Sequence, residues 1–380
     1  MLETNNQITV RTASPADIPN LQKFFIKAYG EQTIFQSEKF LLYYFDSRNS
    51  HSSPLCNNLI GVKQDGEIVS HYGGLSYGLK AGKEIFSMIW GVSAYTLPEW
   101  RGKGINSKIV DYIINTNEIN GVIGFTRSTA EFYLRTGYSV LNFDRFNRFI
   151  YILDLPKTVE IIKLISQDAG KFSDFTANTA NTNERTQFNN IVELTKNNIR
   201  EYKLEMDEPF EEIATTHRTV DFLTWRFFDY PGIKYKVYGV LENGTVKAYI
   251  VLRPEILVPT RFSVNRIIDL YGSKKHIVSL LKKAIYDSYK DDHIYIDFSV
   301  YGSIYEKELQ EANFLRFENE DCSIFPQVTS PIESRKNYEH IGFFSKVSNN
   351  IIKAFNPGNT YFTRMDSDRD RLARISQICE

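Results

Sequence analysis

The segment Trp100-Arg-Gly-Lys-Gly-Ile-Asn-Ser107 lies between an apolar run and an amphipathic run. Two glycines two positions apart, flanked by Arg101 and Lys103, suit a loop that approaches an anion. If a helix begins here, its first N–H groups have no intrahelical partner. They point outward and, with the helix dipole, can hold a pyrophosphate. Gly102 and Gly104 remove the Cβ atoms that would keep the ligand at a distance. Two other phosphate loops do not fit. The pattern G-x-x-x-x-G-K-[ST] is absent, and in G-x-G-x-x-G the third glycine is replaced by Ser107. Gly124 stands near the position where a dinucleotide site needs its acidic residue.

A strand and a helix must flank such a loop, and the pattern predicts Glu84–Thr96 and Asn106–Glu118. A strand over Ile8–Thr12 precedes the start signal Ser14-Pro-Ala-Asp17. The helix it opens, Pro15–Ala28, has Leu21, Phe24, Phe25 and Ala28 on one face; a second covers Glu38–Phe45. Asp65-Gly66 joins strands Leu59–Gln64 and Glu67–Leu79 as a hairpin. After the loop helix come a strand, Val122–Thr126, a helix, Thr129–Thr136, and a strand from Tyr138.

The second half repeats this order. It reads as helices Asn183–Ile199 and Val220–Phe228, then hairpin Lys236–Glu242 with Thr245–Arg253 around Asn243-Gly244. Strand Asn265–Tyr271, helix His276–Tyr289, strand His293–Val300 and helix Tyr305–Ala312 follow. Phe40–Phe45 and Phe222–Phe227 are similar and lie 182 residues apart; Gly66 and Gly244 lie 178 apart, and Tyr138 and Phe314 176. Near-constant offsets predict an internal duplication. The expected division is 1–155 and 186–330 as two units, 156–185 as an Asn/Thr-rich linker, and 331–380 as a tail that completes the acceptor site.

With loop and element order in place, the chain resembles the GCN5-related N-acetyltransferase (GNAT) superfamily. Its acyl-CoA loop, [QR]-x-x-G-x-[GA], reads here Arg101-Gly-Lys-Gly104-Ile-Asn106, after the lead-in Thr96-Leu-Pro-Glu-Trp100. Asn106 departs from the final Gly/Ala, and Asn tolerates left-handed geometry. Ala130–Tyr138, AEFYLRTGY, is similar to the superfamily's xxFYxxxGF segment. The resemblance covers most of residues 8–145. It implies an α+β fold with a mixed sheet, here as tandem GNAT folds. Leu270–Ser279, with one glycine in place of the loop, marks the second copy as degenerate. It also implies acetyl-CoA or a longer acyl-CoA as co-substrate, and no metal. Arg101, Gly102, Lys103, Gly104, Ile105 and Asn106 would hold the cofactor, with Val92 and Ala94 on the strand whose N–H polarises the thioester carbonyl. Tyr133 takes the place of the tyrosine that faces the CoA sulfur. A phenol with a pKa of about 10 stays protonated and can give its proton to the leaving thiolate.

The general base is not marked. No carboxylate occurs from Ile85 to Thr96. His71 can titrate near pH 6.5 but reads more readily as a hydrogen-bonded, half-buried histidine. Asp269, in an apolar run, needs a partner and is a base or an ion-pair member. Tail carboxylates 366, 368 and 370 do not form a calcium loop, since Arg371 and Gln377 hold the positions of its Gly and Glu. The acceptor is expected against Trp225, Arg226, Tyr361, Arg364, Asp366 and Asp368, which offer aromatic and charged groups for a nucleotide.

A net charge of −1 gives no field argument for nucleic acid or an anionic membrane. Cys56, Cys322 and Cys379 have no metal or disulfide spacing, and the N-terminus lacks the order of a signal peptide, so a soluble cytoplasmic protein is expected. Tandem units with one intact loop resemble bacterial N-acyltransferases of dTDP-linked amino sugars for surface polysaccharides. The alternatives are a FemABX-like aminoacyl transferase of peptidoglycan synthesis, against which the intact CoA loop and lack of basic surplus speak, and a non-catalytic acyl-CoA-binding protein.

Overall fold

The computed structural model describes residues 8–45, 58–125, 127–140, 146–165, 188–206, 208–318, 324–329, 332–333, 340–345, 355–356, 358–372 and 374–377. The three cysteines, at 56, 322 and 379, lie outside these residues.

The first half carries strands β1 (Thr9–Thr12), β2 (Leu59–Val62), β3 (Ile68–Ala81), β4 (Glu84–Thr96), β5 (Ile119–Phe125), β6 (Ser139–Val140) and β7 (Phe146–Ile152). Its helices are α1 (Ile18–Tyr29), α2 (Glu38–Phe45), α3 (Ile105–Thr116), α4 (Arg127–Arg135) and α5 (Leu155–Ile165). The second half adds β8 (Ile191–Leu194), β9 (Lys203–Leu204), β10 (Ala214–Thr216), β11 (Lys236–Glu242), β12 (Thr245–Ile256), β13 (Ser263–Gly272), β14 (His293–Tyr301) and β15 (Leu315–Phe317). Its helices are α6 (Val220–Leu223), which runs on into a π-helical turn at Thr224–Phe228, α7 (Lys274–Lys290) and α8 (Glu306–Glu311). The tail holds β16 (Val328–Thr329), β17 (Ile332–Glu333), β18 (His340–Ser345) and β19 (Thr360–Thr363).

This is a mixed α/β architecture built on a large mixed sheet. Strands β1 to β4 are antiparallel neighbours, and β4 pairs β5 in parallel. The second half repeats the pattern, with β8, β11, β12 and β13 antiparallel and β13 parallel to β14. Strand β3 reads as an almost unbroken buried run because helices cover both faces of its sheet. On one face α1 contributes Leu21, Phe24 and Phe25, three buried residues at helical spacing.

The halves exchange strands. β7 leaves the first sheet and pairs antiparallel with β14 and β15. β18, from the tail, takes the place between β5 and β6. β10 and β19 then join the halves: β10 pairs β3 and β19, and β19 pairs β14. The tail, expected to complete the acceptor site, contributes strands to both halves: β18 pairs β5 and β6, and β19 pairs β10 and β14.

Two expectations change. The helix expected over Asn183–Ile199 is, in its described part, strand β8 and a 3-10 turn at Ile199–Glu201. Ile191-Val-Glu-Leu194 pairs along β11, and this tertiary ladder outweighs a weak helical pattern. The region expected as a linker begins instead with α5, started by Asp154 followed by Pro156. Asp154 Oδ1 accepts from Lys157 N–H at 3.0 Å, and Ile161 and Ile162 are fully buried. Residues 166–187 lie outside the described residues.

Among the described residues, no helix is long and apolar enough to cross a membrane.

Candidate active site

The loop is built as its residue types require. Gly102 and Gly104 both have φ of +75°, and Gly104 caps the N-terminus of α3 in the left-handed conformation. Among the described residues, a Cβ at either position would meet open space, so the turn is left clear on its outer side. Ile105 is buried and anchors the helix, while Arg101, Gly102, Lys103, Gly104 and Asn106 are exposed. Arg101 Nε donates to Thr96 O at 3.1 Å, and its guanidinium lies 5.2 Å from the centre of the Tyr95 ring. The Lys103 ammonium lies 4.2 Å above the Trp100 ring. Both cations are thus held at the mouth of the loop.

Asn106 is not left-handed; it lies in the first turn of α3, and the left-handed residue is Gly104. Its Oδ1 accepts from Thr96 Oγ1 at 2.7 Å and from Ser70 Oγ at 3.3 Å. The side chain ties the helix start to β4 and β3, work a Gly or Ala could not do.

Strands β4 and β5 pair only from Met88–Ile119 to Gly91–Val122 and then diverge. The cause is a bulge in β4: between His71–Tyr95 and Gly73–Val92, the single residue Tyr72 of β3 faces both Ser93 and Ala94. Ser93 sits at φ +50°, a strained conformation for a non-glycine residue that the neighbours must enforce. Val92 is buried and Ala94 exposed on this diverging stretch.

His71 supplies part of that enforcement. It is 1% exposed, its Nδ1 lies 3.0 Å from Ser93 O, and its Nε2 lies 2.5 Å from the side-chain oxygen position of Asn58. Phe25 and Phe45 meet its ring edge-to-face at 4.7 and 5.1 Å. Burial lowers its pKa to about 4, although the bond to Ser93 pulls the other way, so the ring is neutral at pH 7. A neutral imidazole donating from Nδ1 to Ser93 O leaves Nε2 as an acceptor, which requires the Asn58 side-chain amide to be turned so that its Nδ2, not its Oδ1, faces the ring. His71 is then a clamp on the bulge, with both nitrogens engaged.

Tyr133, on α4, is 6% exposed and packs 5.1 Å from Phe125 and 4.9 Å from Tyr138, ring centre to ring centre. Burial raises its pKa, so it remains a phenol. Tyr72, also buried, lies close enough to the hydroxyls of Tyr138 and Tyr133 for both to act on its titration. Three phenols therefore gather beside the point where β4 and β5 separate. Tyr72 was not singled out in the sequence; the only signal was its place two residues before Gly74 on the strand beside the loop strand.

Asp269, 0% exposed, is fully engaged. It takes Arg218 Nε and Nη2 at 2.9 and 3.1 Å, Thr363 Oγ1 at 3.1 Å, and the Tyr249 hydroxyl. Five of the six residues expected at the acceptor are also interior. Trp225 stacks on Tyr43 at 5.4 Å. Arg226 bonds Met365 O and Asp370, and Tyr361 donates to Leu270 O. Arg364 faces Asp297 at 3.4 Å, and burial lowers its pKa to about 9. Asp366 is also buried, bonded to Thr216 and to Thr363 N, and burial raises its pKa to about 6. Asp368 differs from these. Its carboxylate is 21% exposed and pairs with Arg371 at 3.1 Å. Arg371 lies 4.7 Å over the Phe35 ring, and both charges act on the phenol of Tyr29, whose ring lies 5.5 Å from that of Tyr95. The tail thus reaches the α1 face of β4, just past the bulge.

Residues 9–141 match the family model of the acetyltransferase (GNAT) domain. The chain therefore carries a GNAT-type domain, the class that moves an acyl group from acyl-CoA to an amine. No curated protein matches the chain in sequence. Among solved structures it is similar to Saccharomyces cerevisiae N-myristoyltransferase with bound myristoyl-CoA: 9% identity, 90% of this chain and 79% of that one, TM-score 0.50. It is also similar to a conserved protein of unknown function from Enterococcus faecalis V583, described as a probable N-acyltransferase: 11% identity, 89% and 73% covered, TM-score 0.53. A GCN5-related N-acetyltransferase from Kribbella flavida matches at 10% identity over 77% of this chain, which spans 63% of that structure, with TM-score 0.48. At these identities the likeness is one of fold.

Proposed function

We propose that the chain is an acyl-CoA-dependent N-acyltransferase whose acceptor is the amine of a nucleotide-linked amino sugar. One observation carries the transferase reading. An open, doubly glycine-turned helix N-terminus stands at the head of a strand pair that a bulge has forced apart. The α3 amides, with Arg101 and Lys103, take the pyrophosphate. The pantetheine runs along the diverging edges of β4 and β5, and the bulge at Ser93–Ala94 offers backbone N–H to the thioester oxygen. The neutral amine attacks the carbonyl carbon from the α1 face. As the tetrahedral intermediate collapses, the C–S bond breaks, Tyr133 gives its proton to sulfur, and the amine's proton leaves through solvent or Asp368.

The second unit reads best as a degenerate copy of the first. Tyr43 and Trp225, 182 residues apart, stack and share the bond Tyr43 Oη to Trp225 O at 3.0 Å. Equivalent residues touch each other when two copies meet across a twofold axis. The amino-sugar reading rests on the tandem arrangement and on the polar Tyr29, Asp368 and Arg371 beside β4.

Calorimetric titration of the full chain with CoA and acetyl-CoA, then thiol release on adding dTDP-amino sugars, tests both parts. Binding with release is expected. Failure to bind either thiol compound would remove the transferase reading. Binding without release by any nucleotide amino sugar would move the acceptor to another amine.

A further inference from the structure

The first unit's strand divergence is closed at its apex on both faces. The last paired position is Gly91–Val122, and above it lies the Tyr72 side chain. A Cβ at Gly91 would fall 1.9 Å from the Tyr72 hydroxyl and 3.0 Å from Val122, so Gly91 exists to let the phenol lie there. On the opposite face Trp90, 0% exposed, covers Gly121, where a Cβ would fall 2.7 Å from the indole. Phe343 and Phe362 pack on the indole at 5.5 and 5.4 Å, so it has no room to swing aside.

We infer that Tyr72 and Trp90 make the first unit a short-chain enzyme, which accepts acetyl and slightly longer acyl groups and excludes medium and long ones. The inference rests on the acyl-CoA reading above, and it concerns where the acyl tail goes. With the carbonyl at the Ser93 bulge, a tail directed along the cleft meets the apex two residues away, roughly 7 Å at strand rise. Carbon contacts need about 3.5–4.0 Å of that, which leaves room for an acetyl group and about two further carbons. A longer tail must displace a buried phenol or a wedged indole, and overpacking of this kind is strongly disfavoured. The Tyr72 hydroxyl is also buried beside that of Tyr138, so it presents a polar end to any tail that reaches it.

The test is calorimetric titration of the full chain with acetyl-, butyryl- and octanoyl-CoA, for wild type and Tyr72→Ala. Wild type is expected to bind octanoyl-CoA at least about tenfold more weakly than acetyl-CoA, and Tyr72→Ala to shift that ratio by at least about tenfold toward octanoyl-CoA. If Tyr72→Ala does not fold, Tyr72→Leu, which shortens the side chain but stays apolar, carries the same expectation. A flat wild-type profile from acetyl to octanoyl would overturn the inference and leave the transferase reading intact. An unchanged ratio in a folded variant would also overturn it. Failure to bind any of the three thioesters would instead remove the acyl-CoA reading, and this inference with it.

Discussion

Helices α3 and α7 both begin where a bulged strand ends, and both strands part from a parallel neighbour, yet the two corners differ in what fills them. At the start of α3 the glycines are exposed and the space beside them is clear. At the start of α7, Gly272 is buried against β12, where a Cβ would lie 2.4 Å from both Lys247 O and Ala248 Cα. Its own N–H and C=O are bound by the Tyr305 hydroxyl at 2.8 and 2.6 Å. A cavity of about 620 Å³ lies next to this helix start, but its cations are paired: Lys247 with Glu205 at 2.6 Å and Lys275 with Glu242 at 2.8 Å.

The divergence below it is filled as well. Pairing of β13 with β14 ends at Ile267–Phe298, and the tail enters the gap. Thr363 pairs Val300, Met365 N donates to Ile268 O at 3.2 Å, and Tyr361 bonds Leu270 O. A stretch of the chain's own backbone lies where the first corner leaves an opening. An anion site is therefore not a property of a helix terminus alone; it also requires amides left unpaired and space beside them.

Exchanging the properties of the corners should break this contrast. Gly104→Val forces a β-branched residue into φ +75° and rebuilds the turn. Loss of two amide bonds to a charged ligand should weaken CoA binding by about 10²–10⁴-fold by calorimetry, with the fold retained and only the modest loss of melting temperature that a strained turn brings. Tyr133→Phe should lower kcat for acyl transfer by about 10²–10⁴-fold with little change in KM for acyl-CoA; near-normal turnover would return Tyr133 to a packing role.

Gly272→Ala should do the opposite of Gly104→Val. Denaturant unfolding should show a loss of about 3 kcal/mol or more from the clash, while CoA affinity of the folded fraction stays within about twofold. A large loss of affinity would show that the second corner takes part in binding.

His71 gives a pH test of the bulge. Its folded pKa, about 4, is below the ordinary 6.5, so the unfolded chain binds the proton first as pH falls. Its contribution is complete above pH 6.5 and is lost between there and pH 4, amounting to roughly 3 kcal/mol. That slope should be missing in His71→Gln when the two unfolding curves are subtracted, and this variant should also lose kcat more than KM. The smallest effect belongs to Asn106→Ala, which removes the bonds from Thr96 and Ser70 and should cost about 1 kcal/mol, a few-fold in CoA affinity.

The sequence by itself determined the elements around the loop. Asp65-Gly66, Ser14-Pro15 and the paired glycines at 102 and 104 are local signals, and turn, cap and close-approach geometry depend on the residues that carry them. Helix α2 and strand β4 begin and end at the expected residues for the same reason. Only the tertiary structure decided which residues are free to act. His71, Asp269, Arg226 and Arg364 read as chemistry in one dimension, because charge and titration are visible there and partners are not. Their partners, Ser93, Arg218, Asp370 and Asp297, lie 22 or more residues away along the chain. The exchange of β7 and β18 and the entry of β19 into the second corner leave no local mark either. They follow from edge pairing between distant strands, and a backbone hydrogen bond is made by every residue type alike.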